Sequence, residues 1–171
     1  MATDNTNITF KGDKLPISGS SLKVGDMLPN FTATATDMSD FKSESLKGNV
    51  VVISTVPSLD TPTCSIETKR FNTESQKLGD KVKIVTLSMD LPFAQKRWCG
   101  TEGVENVITV SDYKHRDALG KFGAFITSWG LFARAIFVAD KSGKITYVEY
   151  VSDLSAEPEY AKVLEAVSKA A

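Results

Sequence analysis

At 171 residues, 42% hydrophobic and 24% charged, the chain suits one domain, expected over residues 1–171 and able to bury roughly 70% of its unfolded surface. Its net charge of -1 comes from acids and bases interspersed along the whole length, which argues against nucleic acid or an anionic membrane as partner. No stretch approaches the roughly 20 apolar residues of a membrane span, and the start MATDNTNITF lacks the basic segment and apolar run of a secretory leader, so a soluble, cytoplasmic protein is expected.

The first forty residues read as short strands and turns. Ile8 to Phe10 and Leu15 to Ile17 flank a Gly12-Asp13 turn signal, which predicts a hairpin in an amino-terminal extension of about 20 residues. Apolar runs from Val50 to Val56, Val82 to Leu87 and Ala135 to Ala139 predict buried strands, the last followed across Lys141-Ser142-Gly143 by a strand from Ile145 to Val151. Helical patterns intervene. Ile66, Phe71 and Leu78 punctuate a polar helix from Cys64 to Leu78; Ala118, Leu119, Phe122 and Phe125 fall at helical spacing; Tyr160, Val163, Leu164 and Val167 mark a closing amphipathic helix. The polar start and the stretch from Ser152 to Glu159 are the soft regions. Strands alternating with helices, then a strand pair and a final helix, predict an α/β fold with a mixed sheet, compatible with a thioredoxin-like architecture.

The stretch VVVISTVPSLDTPTCSIETKRFN, Val50 to Asn72, carries the strongest chemical signal. A buried strand ends in a proline-punctuated loop, and a helix begins almost on top of a cysteine. With Thr61 as N-cap and Pro62 as first helical residue, Cys64 is third in the helix, where free backbone N–H groups and the positive dipole end favour a thiolate. Free cysteines are often inert and buried, but Asp60, Thr61, Pro62, Thr63 and Ser65 give Cys64 polar or turn-forming chain neighbours, which favours a reactive thiol. The Thr61 hydroxyl can cap the helix, and it can also reach both the sulfur and an oxygen of a bound substrate. Lys69 and Arg70, a turn or more further on, read as a solvated face.

A second cysteine, Cys99, lies in SMDLPFAQKRWCG, where Asp90 is expected to cap a short helix opened by Leu91 and Pro92 and ended by Gly100. A spacing of 35 from Cys64 is too long for a C-x-x-C redox motif, and two cysteines with His115 in a polar loop do not make a zinc site, so neither metal nor other cofactor is expected. Coincidence, a structural disulfide, or an attacking thiol with a resolving thiol all fit the pair. Arg134, in LFARAIFVAD, stands at the threshold of a strongly apolar strand: it is either solvated at an exposed strand end or buried with an anionic or hydrogen-bonding partner.

Pro57, Thr61 and Cys64 form a P-x-x-x-T-x-x-C signature that resembles the peroxiredoxins. With DLPFAQKRWC from Asp90 to Cys99, the chain resembles their atypical two-cysteine thiol peroxidase branch. VGDMLPNF near Val24, GTEGVENVITVSD after Gly100, LFARAIFV and the terminal helix extend the resemblance over nearly the whole length. Trp98 stands where that motif commonly has Phe, and Thr63 where Val is frequent. The resemblance implies a thioredoxin-like fold with an amino-terminal hairpin, a homodimer, hydrogen peroxide and organic hydroperoxides as substrates, and thioredoxin as reductant. By residue, it implies Cys64 as the peroxide-attacking thiol, Cys99 as the resolving thiol, Thr61 and Arg134 as activating groups, and Pro57 as a shield. The alternatives are a protein thiol-disulfide oxidoreductase, against which the missing C-x-x-C argues, and a non-catalytic interaction module.

Overall fold

The computed structural model describes residues 4–171, so the first three residues of the expected amino-terminal extension lie outside the described residues. In chain order the elements are β1 (Thr9–Phe10), β2 (Asp13–Lys14), β3 (Ile17–Ser18), β4 (Thr32–Ala35), β5 (Asp40–Lys42), a 3-10 turn (Ser43–Leu46), β6 (Val50–Thr55) and α1 (Pro62–Leu78). They continue with β7 (Val82–Ser88), α2 (Pro92–Glu102), β8 (Ile108–Ser111), β9 (Phe125–Ile126), β10 (Leu131–Phe132), β11 (Ala135–Ala139), β12 (Ile145–Tyr150) and α3 (Tyr160–Ala170).

Seven strands form a mixed sheet in the order β12-β11-β6-β7-β8-β4-β5. β6, β7 and β8 are parallel, joined through α1 and α2, while β11, β12, β4 and β5 pair antiparallel at the two sides. The VVVIST run of β6 lies inside the sheet, between β11 and β7, and its apolar, largely β-branched faces suit a strand covered on both sides. Val50 and Val52 join the cluster containing Phe71, Trp98, Val163 and Val167 of the three helices. Val51 and Ile53 join the opposite cluster with Phe122, Phe137 and Tyr150. The same alternation carries Ser54 to the helix side and Thr55 to the other.

The mixed α/β, thioredoxin-like architecture agrees with expectation, and three local expectations require correction. The residues Ala118, Leu119 and Phe122 are buried as the helical pattern implied, but they lie in successive turns, and Phe125 belongs to β9. Asp112 accepts the backbone N–H groups of Asp117, Ala118 and Leu119, holding the chain in a tight turn. Gly123 then adopts φ +60 with its Cα side against Ser20, where a Cβ would lie 2.3 Å from the Ser20 carbonyl oxygen.

The hairpin exists but is tighter than expected: Thr9–Phe10 pairs with Asp13–Lys14 around Lys11-Gly12, both at positive φ, and Ile17 pairs with β9 instead. Finally, α2 runs through Gly100 to Glu102, because Gly103, not Gly100, takes the left-handed conformation that ends it. Its N-cap position is Leu91, without a side-chain capping bond, so Asp90 does not cap it.

Candidate active site

The parallel strand β6 ends at Thr55, and the loop from Val56 to Thr61 leads directly into α1. Its first helical residue is Pro62, so Cys64 is third, at the end where the helix leaves N–H groups unpaired. The site therefore lies beyond the carboxyl edge of the parallel strands, where open α/β sheets place their ligands. Pro57 is buried in this loop.

The thiol of Cys64 is fully buried, in an apolar cluster with Val56, Leu59 and Trp98, although its chain neighbours are polar. Thr63 and Ser65 keep partial exposure while Cys64 turns inward. Burial alone would make it inert; what distinguishes it is a charge.

Arg134, between β10 and β11, is 1% exposed, which removes the reading of a solvated strand end. Its Nη1 and Nη2 each donate to Cys64 Sγ at 3.5 Å. Nη1 also donates to Glu67 Oε2 at 2.5 Å, and Nη2 to the Leu154 carbonyl at 2.9 Å. Ser54 Oγ donates to the other Glu67 oxygen at 2.7 Å. Burial works against the Arg134 charge, but Glu67 and then Cys64 outweigh it and hold the guanidinium above its ordinary value. For Glu67, burial pushes the carboxyl up, opposed by Arg134 and Ser54. The guanidinium is thus fixed in one orientation by a carboxylate on one side and a carbonyl on another, with its fork presented to the sulfur.

Thr61 occupies the N-cap position of α1, but its hydroxyl does not cap the helix. Oγ1 donates to the Ser58 carbonyl at 2.9 Å, and the Thr61 carbonyl accepts Ser65 N–H. With the hydroxyl proton committed to Ser58, its lone pairs remain as acceptors. Thr61 lines a cleft of about 300 Å³ between the start of α1 and the end of α2, where Trp98 and Arg97 form the facing wall.

Cys99 lies in the last turn of α2, half-buried at the margin of the cluster that contains Cys64. Both thiols are free. Cys99 Sγ is 3.5 Å from Thr109 Oγ1 on β8, and burial pushes this thiol up despite that hydroxyl. Lys69 and Arg70 are exposed, paired with Glu102 and Glu74 respectively. His115 contacts Asp40 at 2.8 Å, and no group of three or more metal-ligating side chains occurs among the described residues.

The geometry thus brings Arg134 to Cys64, sets Pro57 and Thr61 in the loop ahead of it, and puts Cys99 on the neighbouring helix. Glu67 and Leu154 were not singled out from the sequence. Glu67 had a usable signal, since it lies one turn after Cys64 on the same face of α1. The Leu154 carbonyl had none, because backbone acceptors leave no trace in residue identity. It is supplied by the stretch expected to be soft, which Thr9 secures: Thr9 N–H donates to Ser152 O, and Leu154 N–H to Thr9 O.

A Redoxin family model matches residues 23–164. A thiol peroxidase of Oceanobacillus iheyensis is 48% identical over 96% of this chain and 99% of its own length. A thiol peroxidase of Bacillus subtilis is 45% identical over 93% of this chain and 95% of its own. Among solved structures, a peroxiredoxin-like protein from Aquifex aeolicus superposes with a TM-score of 0.91 at 38% identity, covering 100% of this chain and 99% of that one. A thiol peroxidase from Chromobacterium violaceum shares the fold, with a TM-score of 0.85 at 21% identity over 95% of both chains. Matched along nearly its full length in sequence and in fold, the chain belongs to the Redoxin family, within its thiol peroxidase branch.

Proposed function

We propose that the protein is a thiol peroxidase in which Cys64 attacks hydroperoxides and Cys99 resolves the product. The observation that carries this reading is the Arg134 fork donating twice to a buried Cys64 sulfur. A guanidinium there stabilises the thiolate and, as the peroxide O–O bond stretches, the negative charge developing on the leaving oxygen.

The first step is attack by the Cys64 thiolate on the terminal oxygen of ROOH. The O–O bond breaks, an S–O bond forms, and with one proton taken up the products are ROH and a sulfenic acid on Cys64. The Cys99 thiol then displaces water from that sulfenic acid, forming the Cys64–Cys99 disulfide. A dithiol reductant of the thioredoxin type reopens it by exchange, becoming oxidised itself.

Ionisation is only part of the catalysis. A free thiol is roughly 3% thiolate at pH 7, so complete ionisation is worth about thirtyfold at most. The rest comes from positioned groups: Arg134, held by Glu67 and the Leu154 carbonyl, and Thr61, whose free lone pairs accept the O–H of the hydroperoxide. Buried Pro57 keeps water from the sulfur.

Hydrogen peroxide and organic hydroperoxides are the substrates, and neither metal nor other cofactor takes part. The protein works as a single domain over residues 1–171, as a homodimer in the cytoplasm, which the peroxiredoxin resemblance supports and the absence of a membrane-crossing helix among the described residues allows. The reading is tested by following peroxide consumption with thioredoxin and its reductase. Turnover is expected in the parent protein and is lost in Cys64→Ser; turnover independent of Cys64 would overturn it.

A further inference from the structure

Asp90 stands between β7 and α2, one residue before the N-cap of the helix that carries Cys99. Its carboxylate does not cap that helix and instead bonds across to the loop ahead of α1. Its Oδ1 accepts Ser58 Oγ at 2.6 Å, and its Oδ2 accepts Leu59 N–H at 2.8 Å and Ser88 Oγ at 2.8 Å. The grip falls on the first two residues of a four-residue turn. The fourth is Thr61, whose N–H donates to the Ser58 carbonyl at 3.1 Å and whose hydroxyl donates to the same carbonyl at 2.9 Å.

The other end of this arrangement is anchored. Gln95, buried on α2, donates through Nε2 to Ser88 Oγ at 3.0 Å and to the Val110 carbonyl at 3.0 Å. A continuous hydrogen-bonded series, Thr61–Ser58–Asp90–Ser88–Gln95, therefore runs from the loop ahead of Cys64 into the helix of Cys99. Charge-assisted bonds to a partly buried carboxylate hold geometry better than neutral or exposed contacts. The Arg97–Asp60 pair, which also spans the cleft, is mostly solvent-exposed and contributes little to such rigidity.

We propose that Asp90 is a positioning residue for peroxide reduction, which sets the direction of the Thr61 hydroxyl through Ser58. This rests on the reading of Thr61 as the group that accepts the hydroperoxide O–H. Removing the Asp90 carboxylate leaves Ser58 Oγ and Leu59 N–H without their acceptor, frees the turn, and lets the Thr61 lone pairs swing away from the substrate oxygen. The Cys64 thiolate itself, held by Arg134, is untouched.

The test uses the reduced full-length protein with Asp90→Ala, Ser58→Ala, Thr61→Val and the Asp90→Ala/Thr61→Val double variant. Two rates are measured at Cys64: oxidation by hydrogen peroxide, which needs the Thr61 hydroxyl, and alkylation by iodoacetamide, which needs the thiolate and access to the buried sulfur but not that hydroxyl. Asp90→Ala is expected to slow oxidation about tenfold while alkylation stays within twofold, and the double variant to be no slower than Thr61→Val alone. Ser58→Ala, which leaves the start of α2 intact, is expected to reproduce part of the loss, and it stands in if Asp90→Ala does not fold.

Loss of both reactivities together, or losses that multiply in the double variant, would overturn the proposal. If Thr61→Val is slow but Asp90→Ala and Ser58→Ala are normal, the role of Asp90 fails while that of Thr61 stands. If Thr61→Val itself oxidises at the parent rate, the reading of Thr61 fails and the role of Asp90 falls with it.

Discussion

Arg134 and Cys64 are 70 residues apart in sequence, yet both terminal nitrogens of the guanidinium lie 3.5 Å from the sulfur. The juxtaposition follows from sheet order, since β11 pairs directly with β6 and brings the residue before it beside the helix that β6 leads into. Arg134 is balanced in turn by Glu67, and the two side chains are 1% and 0% exposed.

Replacing Arg134 with Ala is expected to lower the second-order rate with hydrogen peroxide by roughly 10²–10³, the cost of losing a preorganised donor at a developing charge. Arg134→Lys retains charge but not the fork, and falls between. Glu67→Gln leaves the guanidinium buried without its counter-charge, and a stability loss of about 3–5 kcal/mol is expected in denaturant unfolding. Parent-like rates in both Arg134 variants would remove the guanidinium from the mechanism.

Thr61→Val tests a narrower point. Its hydroxyl does not cap α1, so unfolding free energy is expected to change by no more than about 1 kcal/mol, the loss of one bond to the Ser58 carbonyl. Peroxide reactivity is expected to fall at least tenfold. A variant that loses stability and activity in proportion would mean that the hydroxyl serves the fold alone.

The resolving step has its own pH signature. Burial holds Cys99 above the ordinary value of 9.0, with Thr109 acting in the opposite sense. Closure of the disulfide on preformed sulfenic acid is therefore expected to quicken about tenfold per pH unit through the neutral range without levelling by pH 9. Thr109→Val removes the opposing hydroxyl and is expected to slow closure at any given pH. The sign for stability follows: a thiol raised in the folded state costs nothing while both states are protonated, and the folded state loses ground as pH rises through the unfolded and then the folded value. Stopped-flow fluorescence across pH 6–9 reads the first effect, and a plateau near neutrality would contradict it.

A disulfide needs its two Cα atoms within about 7 Å, and Cys64 and Cys99 each lie inside a helix in the dithiol form. Opening of helical turns in every cycle is the expected consequence. Hydrogen exchange is expected to be faster in the first turn of α1 and the last turns of α2 after oxidation, with the β6–β7–β11 core unchanged. Identical protection in both redox states would count against an intramolecular bond.

What the sequence made legible was whatever depends on local pattern. The apolar runs of β6, β7, β11 and β12 and the helices α1 and α3 fall where periodicity and capping signals put them. The segment from Ala118 to Phe125 misled because apolar residues at helical spacing can also fill a core from consecutive turns, when a carboxylate a few residues earlier, Asp112, takes the N–H groups of Asp117, Ala118 and Leu119. Asp90 misled for a related reason: its position one residue before the α2 cap suggested a local bond, and a tertiary set of donors outbid the helix. At the site, Cys64 and Thr61 were visible from their place at a helix start. The partner of Arg134 was not, since sequence left exposure and burial equally open and only sheet order decides between them.

The central claim is tested most directly by mixing the fully reduced protein with one equivalent of cumene hydroperoxide, quenching at millisecond intervals and weighing the intact chain. Loss of both thiols with a mass decrease of about 2 Da is expected in the parent protein, no reaction in Cys64→Ser, and an accumulating sulfenic acid in Cys99→Ser. Slow, equal oxidation of the two thiols at the pace of an ordinary cysteine would contradict it.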